Sequence, residues 1–180
     1  MIYILPTDTC FIACPIHDLK SYSIYKIKKR DLKPLAILVS NFEWLIDNTD
    51  LSNEQVKFLR EYDKPFTILT NCDHLKLWID YIDEDNNEFI NRDIYERFAF
   101  RVVNNDTERR LVKENPMFLT SANLSNKPEI YTSREINDEF KYYIDNNKIK
   151  FIENTKLPEN GTSDIFEFIE SLDLKYLRKN

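Results

Sequence analysis

Three stretches concentrate side chains able to bind a polar ligand. They are Pro6-Thr7-Asp8-Thr9 after the apolar residues 2–5, the basic run Lys28-Lys29-Arg30-Asp31-Leu32-Lys33-Pro34, and Thr120-Ser121-Ala122-Asn123-Leu124-Ser125 after the apolar residues 117–119. Hydroxyls and carboxamides at strand ends hydrogen-bond a small ligand without filling its space, while clustered Lys and Arg neutralise phosphate. Arg101 sits inside the apolar run 98–103, where a guanidinium needs either an internal ion pair or a ligand anion. An amino acid bound beside a nucleotide fits all four features. Each also has a plainer reading in isolation: a turn with an Asx cap, a solvated helix end favoured by the dipole, a strand-to-helix cap.

Two further features narrow the chemistry. Cys10, Cys14, His17, Cys72 and His74 use every Cys and His in the chain, but their spacing matches no established zinc signature. Buried thiols are ordinary core residues, so no tightly held protein metal is expected. Gly161 is the single glycine. Walker loops and dinucleotide fingerprints need several glycines for backbone amides to approach phosphate, so both are excluded. A nucleotide would be held by side chains.

The elements that must position these residues follow from apolar pattern. Short continuous apolar runs predict strands at 2–5, 36–39, 66–69, 98–103, 117–119, 150–152, 165–169 and 175–177. Ser40-x-x-Glu43, Ser52-x-x-Gln55 and Thr132-x-x-Glu135 read as capping boxes opening helices, and residues 19–28 read as a further helix. Residues 80–93, acidic and weakly periodic, read as a surface excursion. The expectation is an α/β fold: a single domain over 1–180 with a twisted mixed β-sheet and flanking helices.

Composition limits the function classes. The net charge of −6 disfavours general nucleic-acid binding and requires that any polyanion meet a local positive pocket. No apolar stretch reaches the roughly 18–20 residues that span a bilayer, and the first residues lack a secretory pattern. An odd number of cysteines, 3, argues against a disulfide framework. A cytoplasmic protein without membrane contact is expected.

Taken in order, the motifs resemble those of the YrdC-type threonylcarbamoyl-AMP synthases. The matches are Pro6 to Thr9, Lys28-Lys29-Arg30 with Lys33-Pro34-Leu35, Phe98-Ala99-Phe100-Arg101-Val102, Thr120 to Ser125 with Pro128 and Thr132, Ser163-Asp164-Ile165, and Leu177-Arg178. They run over essentially the whole chain. The departures are Phe11-Ile12 for the family's Tyr-Gly, Asn126 for a glycine, Glu167 for the last Asp, and a basic motif one residue shorter between Arg30 and Lys33.

The resemblance implies a YrdC/RibB-like fold and an L-threonylcarbamoyladenylate synthase, a nucleotidyltransferase. Such an enzyme joins L-threonine, bicarbonate and ATP into threonylcarbamoyl-AMP and pyrophosphate. The adenylate passes to a threonylcarbamoyl-transferase partner enzyme that modifies the adenosine next to the anticodon, so tRNA itself is met at most weakly and indirectly. By resemblance, Lys28, Arg30, Ser121 and Asn123 are the catalytic group. Lys28, Arg30, Lys33, Asn123, Thr132 and Arg178 would bind ATP with Mg²⁺, and Thr9, Arg101, Ser121 and Ser163 would bind threonine. No nucleophile or general base stands out, so positioning and charge stabilisation would carry the reaction. The alternative is an RNA-binding or ribosome-associated protein on the same fold, its basic run gripping a backbone. A degenerate copy would have lost Lys28, Arg30, Ser121 and Asn123 as readily as its glycines. A related carbamoyl-adenylate-forming module of hydrogenase maturation belongs to much longer chains.

Overall fold

The structure, a computed structural model, describes residues 2–6, 10–15, 23–29, 31, 34–72, 79–83, 88–92, 97–104, 106–112, 116–152 and 163–179. In chain order the elements are β1 (Ile2–Pro6), β2 (Cys10–Pro15), α1 (Ser23–Lys28), β3 (Ala36–Val39), α2 (Phe42–Asn48), α3 (Asn53–Glu61), β4 (Phe66–Thr70), β5 (Ile79–Asp83) and β6 (Glu88–Arg92). They continue with β7 (Phe98–Val102), α4 (Asp106–Val112), β8 (Met117–Ser121), α5 (Ser133–Asp145), β9 (Ile149–Phe151), β10 (Asp164–Glu170) and β11 (Asp173–Arg178). Nine strands form one mixed sheet in the order β11-β10-β4-β7-β3-β8-β2-β1-β9, and β5 and β6 form a separate antiparallel pair. The expected α/β architecture holds.

Side-chain alternation divides the sheet into two chemically different faces. Ile4, Ile37, Val39, Ile68, Phe100, Phe118 and Phe166 point to one face, where Ile24 of α1, Leu45 of α2, Val56 and Leu59 of α3, and Ile136 and Phe140 of α5 complete the main core. Leu5, Leu38, Met117 and Leu119 point to the other, smaller core, joined by Val112 of α4. In β7, Arg101 falls between Phe100 and Val102 of the main core side and therefore projects onto the opposite face. In β8, Ser121 shares parity with Met117 and Leu119 and lies on that face too.

One sequence expectation needs correction. The cap of α2 is Asn41 rather than Ser40: its Oδ1 accepts from Trp44 N at 2.8 Å, because the carboxamide one residue later lies within reach of the third helical amide. The acidic stretch read as a surface excursion carries a strand pair that the apolar pattern does not predict, β5 with β6; cross-strand pairing supplies an order that weak periodicity does not reveal. The capping box at Ser52 is complete, with Gln55 N donating to Ser52 Oγ at 3.2 Å and Ser52 N donating to Gln55 Oε1 at 2.9 Å. Ser52→Ala is expected to cost about 1 kcal/mol and to lower Tm by about 2–4 °C, measured by thermal denaturation.

Candidate functional site

The first polar cluster gathers at the C-terminal end of β8. Helix α1 anchors itself with Ile24, Tyr25 and Ile27 in the main core and ends at Lys28. Lys29, at φ 50°, then turns the chain, and the Lys28 carbonyl accepts from Ser125 N at 3.0 Å, tying the helix end to the loop after β8. The Lys28 side chain is only 3% exposed. Its ammonium donates to the Ser121 carbonyl, to Ser121 Oγ at 3.4 Å and to Asn123 Oδ1 at 3.4 Å. Ser121 Oγ donates to Asn123 Oδ1 at 2.5 Å, and Asn123 Nδ2 donates to the Lys127 carbonyl at 2.5 Å. Residues 93 and 95 positions apart thus share one hydrogen-bonded group. Asn126, standing where the resemblance expects glycine, adopts φ 67°, a left-handed conformation that Asn tolerates well.

The second cluster lies at the N-terminal end of β10. Ile165 pairs with both Thr67 of β4 and Arg178 of β11, and continuing the β4–β7 register by one residue sets Arg101 opposite Thr67. A bulge in β11 places Leu177 as an extra residue between the Ile165–Arg178 and Phe166–Tyr176 pairs. It lets Tyr176 pack on Phe166 in the main core while Arg178 reaches Ser163. Arg178 donates from Nε and a terminal nitrogen to the Ser163 carbonyl, at 2.9 and 2.8 Å, and to Ser163 Oγ at 3.3 Å. Ser163 Oγ also bonds Thr67 Oγ1 at 3.1 Å, and Arg101 is 6% exposed. Burial lowers the pKa of Arg178, as does the neighbouring positive charge of Arg101, while Glu129 and Asp164 act in the opposite sense.

Asp164 supports this cluster from behind. It alternates onto the helix-covered face, is 1% exposed, and accepts from the Tyr62 hydroxyl at 2.5 Å. Since that proton is committed to Asp164, Tyr176 donates its own hydroxyl proton to Tyr62 at 3.2 Å. Burial, followed by these hydrogen bonds, pushes the Tyr62 hydroxyl far above the usual tyrosine range. The folded state holds this proton more tightly than the unfolded chain. The resulting stabilisation is complete below the unfolded value of about 10 and falls away as pH rises beyond it. Tyr62→Phe should flatten the alkaline limb of a stability-versus-pH curve. It should also cost about 1–3 kcal/mol at neutral pH, because Asp164 loses a buried donor.

Thus Lys28, Ser121 and Asn123 form one cluster, and Arg101, Ser163 and Arg178 belong to the other. The segment 122–131 leaves the first cluster, where Asn123 is held by Lys28 and Ser121. Thr132 stands apart: it caps α5, accepting from Glu135 N at 3.2 Å and donating to Glu135 Oε2 at 2.6 Å. Thr9, Arg30 and Lys33 lie outside the described residues, as do His17 and His74. Cys72 is buried and donates to the Asn48 carbonyl at 2.7 Å. Among the described residues, no three His, Cys, Asp or Glu side chains converge on a point that would hold a metal ion. No helix among them is long and apolar enough to cross a membrane. The sequence reading missed Thr67, Tyr62, Asp164 and Glu129. Asp164 had a signal in its place beside Ser163; Thr67 had one only in the sheet register, and Tyr62 and Glu129, outside the strands, had none.

The sequence profile of the Sua5/YciO/YrdC family, described as "Telomere recombination", matches residues 1–179. No curated protein sequence matches. The full-length HypF structure in its phosphate- and nucleotide-bound form is similar at 18% identity and TM-score 0.75, over 98% of this chain and 26% of that one. The P. abyssi Sua5 structure complexed with L-threonine is similar at 18% identity and TM-score 0.74, over 98% of this chain and 49% of that one. E. coli YciO is similar at 14% identity and TM-score 0.71, over 99% of this chain and 82% of that one. The chain therefore spans about a quarter of HypF and half of Sua5. These structural likenesses establish the fold, and the profile match over nearly every residue establishes that the chain belongs to the Sua5/YciO/YrdC family.

Proposed function

We propose that this chain is an L-threonylcarbamoyladenylate synthase supplying the threonylcarbamoyl modification of tRNA. The observation that carries the reading is the buried Lys28 ammonium hydrogen-bonded to Ser121 and Asn123, a preorganised positive centre at the end of a strand in a chain of net charge −6. Solved relatives of the same fold hold L-threonine in one case and phosphate with nucleotide in another, so both ligand classes suit the architecture.

The reaction balances as threonine, bicarbonate and ATP giving threonylcarbamoyl-AMP, pyrophosphate and water. The threonine amine and bicarbonate condense to a carbamate, with loss of water. A carbamate oxygen then bonds to the α-phosphorus as its bond to the β-phosphate bridging oxygen breaks. Lys28 faces the charge developing at the α-phosphate, with Ser121 and Asn123 orienting both reactants. Arg178, with Arg30 and Lys33 by resemblance, balances the remaining phosphate charge. Arg101 receives the threonine carboxylate, and Ser163 with Thr67 and Thr9 provides partners for its hydroxyl. Thr132 is a weaker ATP ligand than the resemblance implies, because its hydroxyl is engaged in the α5 cap. Mg²⁺ would enter as the counter-ion of the triphosphate and ease departure of pyrophosphate. The product would pass to a threonylcarbamoyl-transferase in the cytoplasm.

The test is pyrophosphate release from ATP that requires both threonine and bicarbonate. Where buried polar groups are built to bind a substrate hydroxyl, valine is rejected by on the order of 10⁴-fold. Equal turnover with valine would contradict threonine as the substrate, whereas salt-sensitive tRNA retention without any ATP turnover would instead favour an RNA-binding protein on this fold.

A further inference from the structure

Asp164 is a buried carboxylate that the proposed reaction does not use, although it directly follows Ser163 in the chain. Its backbone amide donates to the Pro65 carbonyl at 2.9 Å, and its Oδ2 accepts from the Tyr62 hydroxyl at 2.5 Å. Both partners belong to the short connection between α3 and β4. The Tyr62 hydroxyl also lies 3.2 Å from that of Tyr176, which precedes Arg178 by two positions. One hydroxyl therefore joins the two strands that carry Ser163 and Arg178, from the helix-covered face of the sheet. We propose that Tyr62 is a positioning residue: acting through Asp164 and Tyr176, it sets the placement of Ser163 against Arg178 and with it the hold on the substrate hydroxyl. The inference rests on the threonine-binding reading for its ligand, and it gives a role to a residue that the motif resemblance leaves out.

The backbone alone holds this end of the hairpin weakly. Strand β11 is the edge of the sheet, so β10 is its one neighbour among the described strands. The bulge at Leu177 interrupts their ladder just where Arg178 must meet Ser163. The Tyr62 hydroxyl spans that break, bonding β10 at Asp164 and β11 at Tyr176. Its own ring is fixed, with centroids 5.2 Å from Phe166 and 5.9 Å from both Phe58 and Phe66, and Tyr176 packs 5.5 Å from the same Phe166. On the other face of β10, Ser163 is buried, its Oγ 3.1 Å from Thr67 Oγ1 and 3.3 Å from a terminal nitrogen of Arg178. Hydrogen bonds shared this closely leave little slack, so a small shift of β10 against β11 changes what Ser163 Oγ can offer a ligand.

Tyr62→Phe removes one oxygen and leaves the ring packing in place. It should weaken binding of L-threonine alone by about tenfold, the order of one lost hydrogen bond to the ligand, read by titration calorimetry below the variant's Tm. In a Ser163→Ala background the same substitution should add less than about twofold, since no hydroxyl remains to be placed. Tyr176→Phe keeps the bond from Tyr62 to Asp164, so it should cost about two- to threefold, and it decides the matter if Tyr62→Phe does not fold. Unchanged threonine affinity in these folded variants overturns the proposal, as does an equal loss with and without the Ser163 hydroxyl; either result leaves Tyr62 as a stabilising contact only. A parent chain that binds threonine yet releases no pyrophosphate sinks the proposed reaction while leaving the role of Tyr62 standing. A parent chain that binds no threonine overturns both.

Discussion

Lys28→Met should lower threonine-dependent pyrophosphate release by about 10²–10³-fold, with most of the loss in kcat. Methionine keeps the unbranched stem and packs comparably, so the change isolates the ammonium. The charge sits 3% exposed at the end of α1, aimed at Ser121 and Asn123 across the chain, and a low-dielectric setting strengthens its action on a transferring phosphate. Removing it also takes one donor from the buried Ser121 carbonyl and one from Asn123 Oδ1, which keeps Ser121 Oγ, a loss of about 1–3 kcal/mol. Thermal denaturation separates the two effects: a variant still folded at the assay temperature but nearly inactive supports the assigned role. Full turnover by Lys28→Met would refute it.

Arg101→Met should raise the KM for threonine by about 10²–10³-fold while changing the KM for ATP far less. The chain carries this guanidinium on an otherwise apolar strand, at 6% exposure, beside Thr67 and the Ser163–Arg178 group. Losing one member of a buried charge pair costs about 3–5 kcal/mol, and each 1.36 kcal/mol is a factor of ten. The other sequence-level reading, an internal ion pair, gives a different signature: lower Tm with threonine and ATP affected alike. Arg101→Lys discriminates further, since an ammonium keeps the charge but loses the two-pronged geometry suited to a carboxylate.

Much of the architecture was legible because its central strands are short apolar runs. All eight expected strands occur, and Ser52 and Thr132 open the helices they were read to open. What escaped depended on partners distant in sequence. Strand β2 is recognised by its pairing with β1 and β8, and α4 has only Leu111 and Val112 as apolar anchors, too few for a helical period. The β5–β6 pair gains its order from cross-strand register. The site divides in the same way. Lys28, Ser121 and Asn123 were singled out because their motifs resemble a family's, and hydrogen bonds join the three side chains. Thr67 and Tyr62 carry no local mark. Thr67 matters because β4 lies between β7 and β10, and Tyr62 because it ends α3 directly above Asp164. The bulge at Leu177 is equally silent in sequence, yet it decides which face Arg178 serves.

The most direct test supplies ATP, L-threonine and ¹³C-bicarbonate to the purified chain and follows the nucleotide product by mass spectrometry. A threonylcarbamoyl-AMP species carrying the heavy carbon, formed in step with pyrophosphate and without ADP, is the predicted result. AMP or ADP lacking both threonine and the labelled carbon, or no nucleotide product at all from a folded, ATP-binding chain, would contradict the account.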